Sequence, residues 1–374
     1  MASRDLDKVL GCFLGGAIGD ALGAPIEFMS LREIRYLFGM EGVRDFVEHP
    51  GGIGEFTDDT QMTLFTAEGL IRGFMRFHHK GISSATFVCY NAYLRWLHTQ
   101  GERVKTKSSI GGIEEDSKWT KDIIGSGWLI KRKELLKRRS PGQTCISALL
   151  SGECGRMDRP INDSKGCGGV MRVAPVGLAW SGSLETAFET GCEIAAITHG
   201  HPTGYLAAGA FAAIISGLSD GASLLDSIEA AVKILKKEKR HTETLNSINK
   251  ALLFYKELGP TVGETSRDLP EIIEKLGGGW IAEEALAIAL LCSLLYQNDF
   301  RRGVLAAVNH SGDSDSTGAI AGNILGLIHG REKLPPRWID NLKYNDIVIE
   351  IAEDFMLNKI DFNSEEGWDR YPGF

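Results

Sequence analysis

The sequence has no closely paired cysteines. Its seven cysteines are odd in number, widely scattered and never spaced as Cys-x-x-Cys. A disulfide framework or a cysteine-based zinc site needs clustered cysteines, so neither is expected. Free thiols are typical of a reducing compartment, and we therefore expect a cytoplasmic protein.

The chain also lacks a basic segment and a clear export signal. Its 41 Lys and Arg residues against 49 Asp and Glu residues give a net charge of -8 over 374 residues. Nucleic-acid binding requires clustered positive charge, so no nucleic-acid partner is expected. The apolar stretch 9–25 follows no basic region and contains Asp20, which favours a core helix over a signal peptide. We likewise expect no membrane-spanning segment and no membrane partner.

Alternating strand patterns are scarce, whereas apolar residues recur at three- and four-residue spacing along much of the chain. The clearest segments with this helical period are 58–77, 184–200, 204–218, 282–297 and 316–330. Alanine and glycine are frequent in several of them, and small side chains allow helix axes to approach closely. These features predict a compact all-α bundle.

The domain organisation follows from composition. Nothing repeats at a fixed period, and we treat 1–374 as one domain. The stretch 101–143 is more polar and more charged, which predicts an exposed excursion or a small helical cap over the core. The tail at 360–374 carries aromatic residues among polar ones. We expect it to fold back onto the surface, with a contribution to a pocket rim as the alternative.

Two predicted helix starts carry crowded carboxylates: Asp58 and Asp59 in TDDT, and Asp313 and Asp315 in GDSDST. A helix N-terminus favours negative charge, so helix capping is one interpretation. Capping explains one acid at each start, but not two, because adjacent ionised carboxylates repel each other. Carboxylate and hydroxyl oxygens are ligands of hard cations such as Mg²⁺, Mn²⁺ or Ca²⁺, which predicts one or two such ions between the two starts.

The capping interpretation makes specific predictions. Ser314 or Ser316 would cap the second helix, and Asp58 and Gln61 have the spacing of a capping box in the first. An EF-hand loop is a competing interpretation of the second start. It fails at the twelfth position, where Ile324 replaces the bidentate glutamate.

Five motifs along the chain resemble, in order, the signatures of the ADP-ribosylglycohydrolases. They are GDALGAPIE (19–27), TDDT (57–60), SKGCGGVMR (164–172), THGHPTGY (198–205) and GDSDST (312–317). The resemblance implies an orthogonal helical bundle that holds two divalent cations, Mg²⁺ or Mn²⁺. It also implies a hydrolase that removes ADP-ribose from a modified protein side chain.

The resemblance also implies roles for individual residues. The metal ligands of the family fall on Thr57, Asp58, Asp59, Asp313, Asp315 and Ser316. Its mobile catalytic acid falls on Glu27, which acts together with Asp58, Asp59 and Asp315. Glu27 follows Pro25 just beyond the predicted helix end at Gly23, so a short loop carries it. An ordinary surface glutamate is the alternative interpretation of Glu27.

The substrate-binding residues implied by the resemblance are Ser164, Gly166, Cys167, Gly168, His199 and Tyr205. Glycines allow backbone N–H groups to approach a diphosphate, although they also permit tight packing before the helix that we predict over 170–180. The His-x-His spacing of 199–201 lacks a third nitrogen or sulfur ligand nearby, so His201 is interpreted as a helix cap rather than a zinc ligand. Trp280 is a further candidate for the border of the site, with a buried helix anchor as the alternative.

These observations predict a metal-dependent hydrolase that removes mono-ADP-ribose from protein, with arginine as the expected acceptor. A serine-linked or small-molecule ADP-riboside is the alternative substrate. An immunity protein that blocks or reverses an ADP-ribosylating toxin is an alternative function, with the toxin or a cognate ADP-ribosyltransferase as partner. A structural protein on an inactivated hydrolase fold is a third alternative, which the intact set of implied metal ligands opposes.

Overall fold

The computed structural model describes residues 5–48, 51–104, 106–107, 113–114, 118–259 and 269–374. The described chain is all-α, as predicted, apart from a small antiparallel pair of strands, β1 (Thr106–Lys107) and β2 (Ile113–Glu114). Its α-helices are α1 (Leu6–Gly23), α2 (Leu31–Phe38), α3 (Asp58–Lys80), α4 (Ala85–Thr99), α5 (Lys118–Gly125), α6 (Gln143–Leu150), α7 (Ala174–Ala179), α8 (Leu184–Ala196), α9 (Pro202–Ser219), α10 (Leu224–Leu235), α11 (Thr242–Leu258), α12 (Leu269–Glu274), α13 (Ala282–Leu295), α14 (Phe300–Val308), α15 (Ser314–His329), α16 (Pro336–Asn341), α17 (Asn345–Asp354) and α18 (Glu365–Arg370).

Helices α1 and α15 form the closest helix pair, and they meet along two rows of glycines spaced four residues apart. The facing positions are Gly11 with Gly326, Gly15 with Gly322 and Gly19 with Gly318. A Cβ atom at any of these positions would overlap the backbone of the opposite helix. The two helices therefore run antiparallel in backbone contact, which places the C-terminal end of α1 beside the N-terminal end of α15.

Helices α13, α14 and α17 pack against this pair, α3 and α9 contact it over smaller areas, and α8 packs on α9. Each of the five segments predicted from the helical period overlaps one of the long helices over most of its length, so those predictions are confirmed. The helix predicted over 170–180 begins later, at Ala174, because residues 167–169 form a 3-10 turn first.

The expectation that no segment is long and apolar enough to span a membrane is wrong for α9. Pro202–Ser219 is the one helix of the described residues whose length and composition would allow a crossing, and 89% of it is buried inside the protein. Its alanines and glycines pack against α8, α7 and α10. Such burial is what a core helix shows.

The excursion (101–143) and the tail (360–374) pack against different parts of the protein. Leu129 and Leu135 of the excursion are fully buried in the main core, so its second half packs as a cap rather than standing free. In the tail, the Tyr371 hydroxyl donates to Asp354 at 2.6 Å and Trp368 contacts His79 edge-on. His79 lies at the far end of α3, about 30 Å from its first residue at 1.5 Å per residue. The tail therefore lies away from the carboxylates of Asp58 and Asp59.

The glycine rows generate a stability prediction. Gly19→Ala should lower the free energy of unfolding by about 3 kcal/mol, because the new methyl group overlaps the Gly318 carbonyl and the helices must separate. Gly125→Ala is the control, since a Cβ there meets nothing within 4 Å. Urea denaturation of both variants measures the difference. Equal stability of the two would show that the α1–α15 contact is not tight.

Candidate active site

Three carboxylates meet where α1 ends and α15 begins. Oxygens of Glu27, Asp313 and Asp315 all lie within 4.8 Å of one another. Helix α1 ends at Gly23 as predicted, and the Glu27 N–H donates to the Gly23 carbonyl at 3.0 Å within the following turn. Glu27 is half-buried and in contact with acids, so it is not an ordinary surface glutamate.

The start of α3 joins this cluster from a third direction. Ser316 Oγ donates to Asp59 Oδ1 at 2.8 Å, which connects the two acidic motifs directly. Asp58 is also buried, and its Oδ2 accepts from the Gly142 N–H at 3.3 Å. The structure therefore brings together the residues of TDDT, GDSDST and Glu27, although about 250 residues separate the two acidic motifs in sequence.

The helix caps differ from those predicted. Asp313 itself caps α15 by accepting from the Ser316 N–H at 3.3 Å, so neither Ser314 nor Ser316 is the N-cap. Thr57 caps α3, and the predicted box between Asp58 and Gln61 is absent from this helix start. The Gln61 side chain instead accepts from Trp96 and Gln100. A threonine or aspartate ahead of the first turn reaches the free amides better than a residue already inside the helix.

The assembled carboxylates strongly perturb one another. Burial, followed by the charges of Asp315, Asp313 and Asp58, raises the pKa of Glu27 to about 10. Burial and Asp315 also raise the pKa values of Asp58, Asp59 and Asp313 well above their usual range. Like charges held this close need protons or cations to neutralise them. The oxygen-only donor set of the cluster fits a hard divalent cation.

Asp20 belongs to this site although the sequence interpretation gave it no role there. It is fully buried in the last turn of α1, where its carboxylate accepts from the Thr57 N–H at 2.8 Å and the Thr60 N–H at 2.9 Å. The Thr60 hydroxyl adds a third bond at 2.6 Å. Asp20 thus fixes the first turn of α3 against α1. The available signal was an acid within 9–23, a stretch that otherwise contains only glycine and apolar residues.

The glycine loop 164–169 lies next to the carboxylates. The Cys167 thiol donates to Asp313 Oδ2 at 2.8 Å, and the Cys167 N–H donates to the Trp280 carbonyl at 3.2 Å. Ser164 Oγ is 3.1 Å from Thr144 Oγ1. The amides of Gly168 and Gly169 begin the 3-10 turn, so they have no partner within it.

Space rather than backbone conformation selects glycine in this loop. None of its three glycines has a positive φ. A Cβ on Gly168 would lie 2.9 Å from Cys145 Sγ and 3.0 Å from His199 Cε1, whereas one on Gly166 would make only ordinary contacts from 3.4 Å. Gly168 is therefore required by packing whatever the loop binds. Gly166, in contrast, has room for a small side chain.

His199 is buried behind the loop, with its imidazole against Gly166, Gly168 and Gly169. Burial, helped by the Arg172 charge, lowers the pKa of His199 to about 3. Thr198 Oγ1 accepts from Arg172 at 2.8 Å and lies 2.8 Å from His199 Nδ1. We assign the Thr198 hydroxyl as the donor and His199 Nδ1 as the acceptor. The proton of the imidazole ring is then on Nε2, which faces the loop. His199 is then a neutral donor.

The remaining predicted residues are less central. His201 caps α9 by accepting from the Thr203 N–H at 3.1 Å, which confirms the cap interpretation. Tyr205 is half-buried; burial raises its pKa, and the nearby groups that also affect this pKa are Cys192, Arg240 and Glu238. The pocket role of Tyr205 stays a prediction. Trp280 is 41% exposed, so it is not a buried helix anchor.

The chain resembles known proteins along most of its length. The family model described as ADP-ribosylglycohydrolase matches residues 1–364. The chain is 24% identical to the ADP-ribosyl-[dinitrogen reductase] glycohydrolase of Rhodospirillum rubrum, over 90% of each chain. It is 25% identical to the ADP-ribosylarginine hydrolase Tri1 of Pseudomonas putida, over 93% of this chain and 78% of that protein.

A solved structure titled ADP-ribosylglycohydrolase-related protein complex has the same fold. Its TM-score to this chain is 0.60 at 22% identity, and the match covers 96% of this chain and 99% of the other. The family model covers Glu27, both acidic motifs and the glycine loop. The chain is therefore an enzyme of the ADP-ribosylglycohydrolase family, which removes ADP-ribose from modified substrates.

Proposed function

We propose that this protein hydrolyses the N-glycosidic bond between mono-ADP-ribose and arginine side chains of proteins, and that it needs divalent cations to do so. One observation carries the proposal: the Cys167–Asp313 contact places the glycine loop directly against the carboxylate cluster. A ligand with a diphosphate next to a ribose matches this arrangement. The loop would accommodate the diphosphate, and the carboxylates would surround the ribose.

The metal requirement rests on the charge of the cluster. Thr57, Asp58, Asp59, Asp313, Asp315 and Ser316 would hold two ions, Mg²⁺ or Mn²⁺. Their oxygens converge from two helix starts, and burial together with the charge of Asp315 raises the pKa values of Asp58, Asp59 and Asp313. Bound cations would relieve this repulsion, which supports the metal requirement. When bound, the ions would supply positive charge that polarises ribose hydroxyls and a water molecule.

The chain's own residues have separate tasks. Glycosidic cleavage develops positive charge on the ribose ring, and carboxylates near the ring stabilise that charge. Glu27 lies on a turn rather than in a helix, and its carboxylate is within reach of Asp313 and Asp315, so it would exchange a proton with the reacting groups. His199, neutral over the ordinary pH range, would donate its Nε2 proton to a ligand oxygen over the glycine loop.

Arginine is the preferred acceptor in this proposal because a guanidinium group is attracted to an acidic site. A relative named as an ADP-ribosylarginine hydrolase supports this choice. Serine-linked ADP-ribose and small ADP-ribosides stay as alternative substrates. The immunity role against an ADP-ribosylating toxin stays as an alternative function, since such a protein would bind the toxin whether or not it hydrolyses.

Peptides carrying mono-ADP-ribose on arginine or on serine test the proposal, each with and without EDTA. We expect release from arginine only, loss of release with EDTA, and recovery with Mg²⁺ or Mn²⁺. Glu27→Gln should lower turnover about 10²- to 10⁴-fold without changing the fold. Release of ADP-ribose from the serine peptide alone would show that serine, not arginine, is the acceptor. Release that persists in EDTA would contradict the metal requirement.

Two aspartate variants separate metal binding from structural roles. Ions that bind only the folded protein stabilise it by about 2.7 kcal/mol at one hundred times the dissociation constant. Asp315→Asn should lose this increment in thermal melts, together with activity. Asp20→Asn should lose about 1–3 kcal/mol both with EDTA and with metal, because the bonds to Thr57 and Thr60 are disturbed. A metal-dependent rise in the melting temperature of Asp315→Asn equal to that of the wild type would remove Asp315 from the proposed metal ligands.

Gly166→Ala tests the glycine loop without disturbing its packing. The new methyl group makes only ordinary contacts with His199 and Ser164, so we expect wild-type melting. It should weaken ADP-ribose binding several-fold by blocking close approach of the diphosphate to the backbone. Calorimetric titration with ADP-ribose measures this effect. Unchanged affinity would mean that the diphosphate binds elsewhere, and Gly168 is unsuitable for the test because its Cβ collides with Cys145.

A further inference from the structure

Two exposed aromatic side chains stack at the mouth of the carboxylate cluster. The rings of Phe28 and Trp280 lie 5.0 Å apart between centroids, with an interplanar angle of 27°. Phe28 is 73% exposed and Trp280 is 41% exposed. Exposed aromatic faces are costly in water, and a stacked pair at the rim of a site is a surface suited to a ligand.

The Phe28 side of the stack is part of the Glu27 turn. Phe28 follows Glu27 directly and has φ of 69°, a left-handed conformation that is uncommon for an aromatic residue. Backbone strain of this kind persists where the surroundings or a function require it. Here the conformation allows the ring to reach Trp280 while the neighbouring Glu27 carboxylate reaches Asp313 and Asp315.

The Trp280 side of the stack is fixed by backbone bonds on both flanks. The Trp280 carbonyl accepts from Cys167 of the glycine loop at 3.2 Å. Two residues earlier, the Gly278 carbonyl accepts from the N–H of Asp313 at 2.8 Å. The indole therefore projects from a loop that is tied both to the proposed phosphate loop and to the first acid of α15.

We propose that the Phe28–Trp280 stack is the acceptor-recognition surface of this enzyme, and that it binds the guanidinium of the ADP-ribosylated arginine by cation–π stacking. The inference rests on the proposed function. Phe28 is covalently adjacent to Glu27, so the stack flanks the end of the site where the bond to the acceptor would be cleaved. A guanidinium group has a flat face for the rings and a positive charge for the acids beside them.

Adenine is the competing occupant of an aromatic stack. Two observations favour the guanidinium. The stack adjoins Glu27, whose carboxylate can pair with the N–H groups of a guanidinium. Phe28 also shares a turn with Glu27, whereas the adenine of a ligand with its diphosphate on the glycine loop would lie beyond that loop from the carboxylates. A serine acceptor would gain nothing from the stack, so the pair would select arginine over serine.

The test uses Trp280→Ala, Phe28→Ala and the conservative Trp280→Phe. Their side chains are exposed, and the backbone bonds of Trp280 do not depend on its indole, so folding should be retained. Phe87→Ala is the control, because Phe87 is a similarly exposed aromatic residue in the first turn of α4, next to the far end of α3. For each protein, KM and kcat are measured on the ADP-ribosylarginine peptide, and the affinity for free ADP-ribose is measured by calorimetry.

We expect the two alanine variants at the stack to raise KM for the arginine peptide about 3- to 30-fold, the range for a lost cation–π contact. Their affinity for free ADP-ribose should stay that of the wild type, and Trp280→Phe should recover most of the loss. An equal loss of ADP-ribose affinity would assign the stack to adenine or ribose and overturn the inference. Unchanged KM in both alanine variants would also overturn it. If the wild type releases nothing from arginine, the proposed function fails instead.

Discussion

The rest of the structure depends on the backbone contact between α1 and α15. Glycines on one face of each helix let the two backbones touch, and every larger side chain on those faces would push them apart. Because the pair is antiparallel, the contact brings the end of α1 beside the start of α15. Glu27 follows α1 and Asp313 precedes α15, so the two glycine rows bring these acids within reach of each other.

The contact along the glycine rows also explains how the protein tolerates so many buried acids. A cluster of carboxylates destabilises the fold that holds it, as the raised pKa values of Glu27 and Asp59 indicate. Dense packing along the two helices supplies the rigidity that resists their separation. Asp20 contributes in another way, because its bonds to Thr57 and Thr60 anchor α3 to α1 from within the core. Structure and site are therefore stabilised by one set of contacts.

The glycine loop illustrates how packing and binding coincide. Gly168 and Gly169 are surrounded by Cys145, His199 and Ala195, so they are needed for the loop to lie flat on the core. The Cys167 thiol of the same loop donates to Asp313, so this placement also sets the loop against the carboxylates. His199 fills the space behind the loop.

The sequence by itself determined the all-α class, the long helices and the two acidic helix starts, because helical period and crowded carboxylates are local patterns. It did not determine the caps, since Ser314, Ser316 and Asp313 are equally plausible until the backbone of α15 is known. Only the tertiary structure decided which distant groups meet. Ser316 contacts Asp59, Asp20 holds Thr57, and Phe28 stacks on Trp280, because close helix packing folds widely separated segments onto one another. Contacts of this kind are set by three-dimensional shape, and no spacing in the chain encodes them.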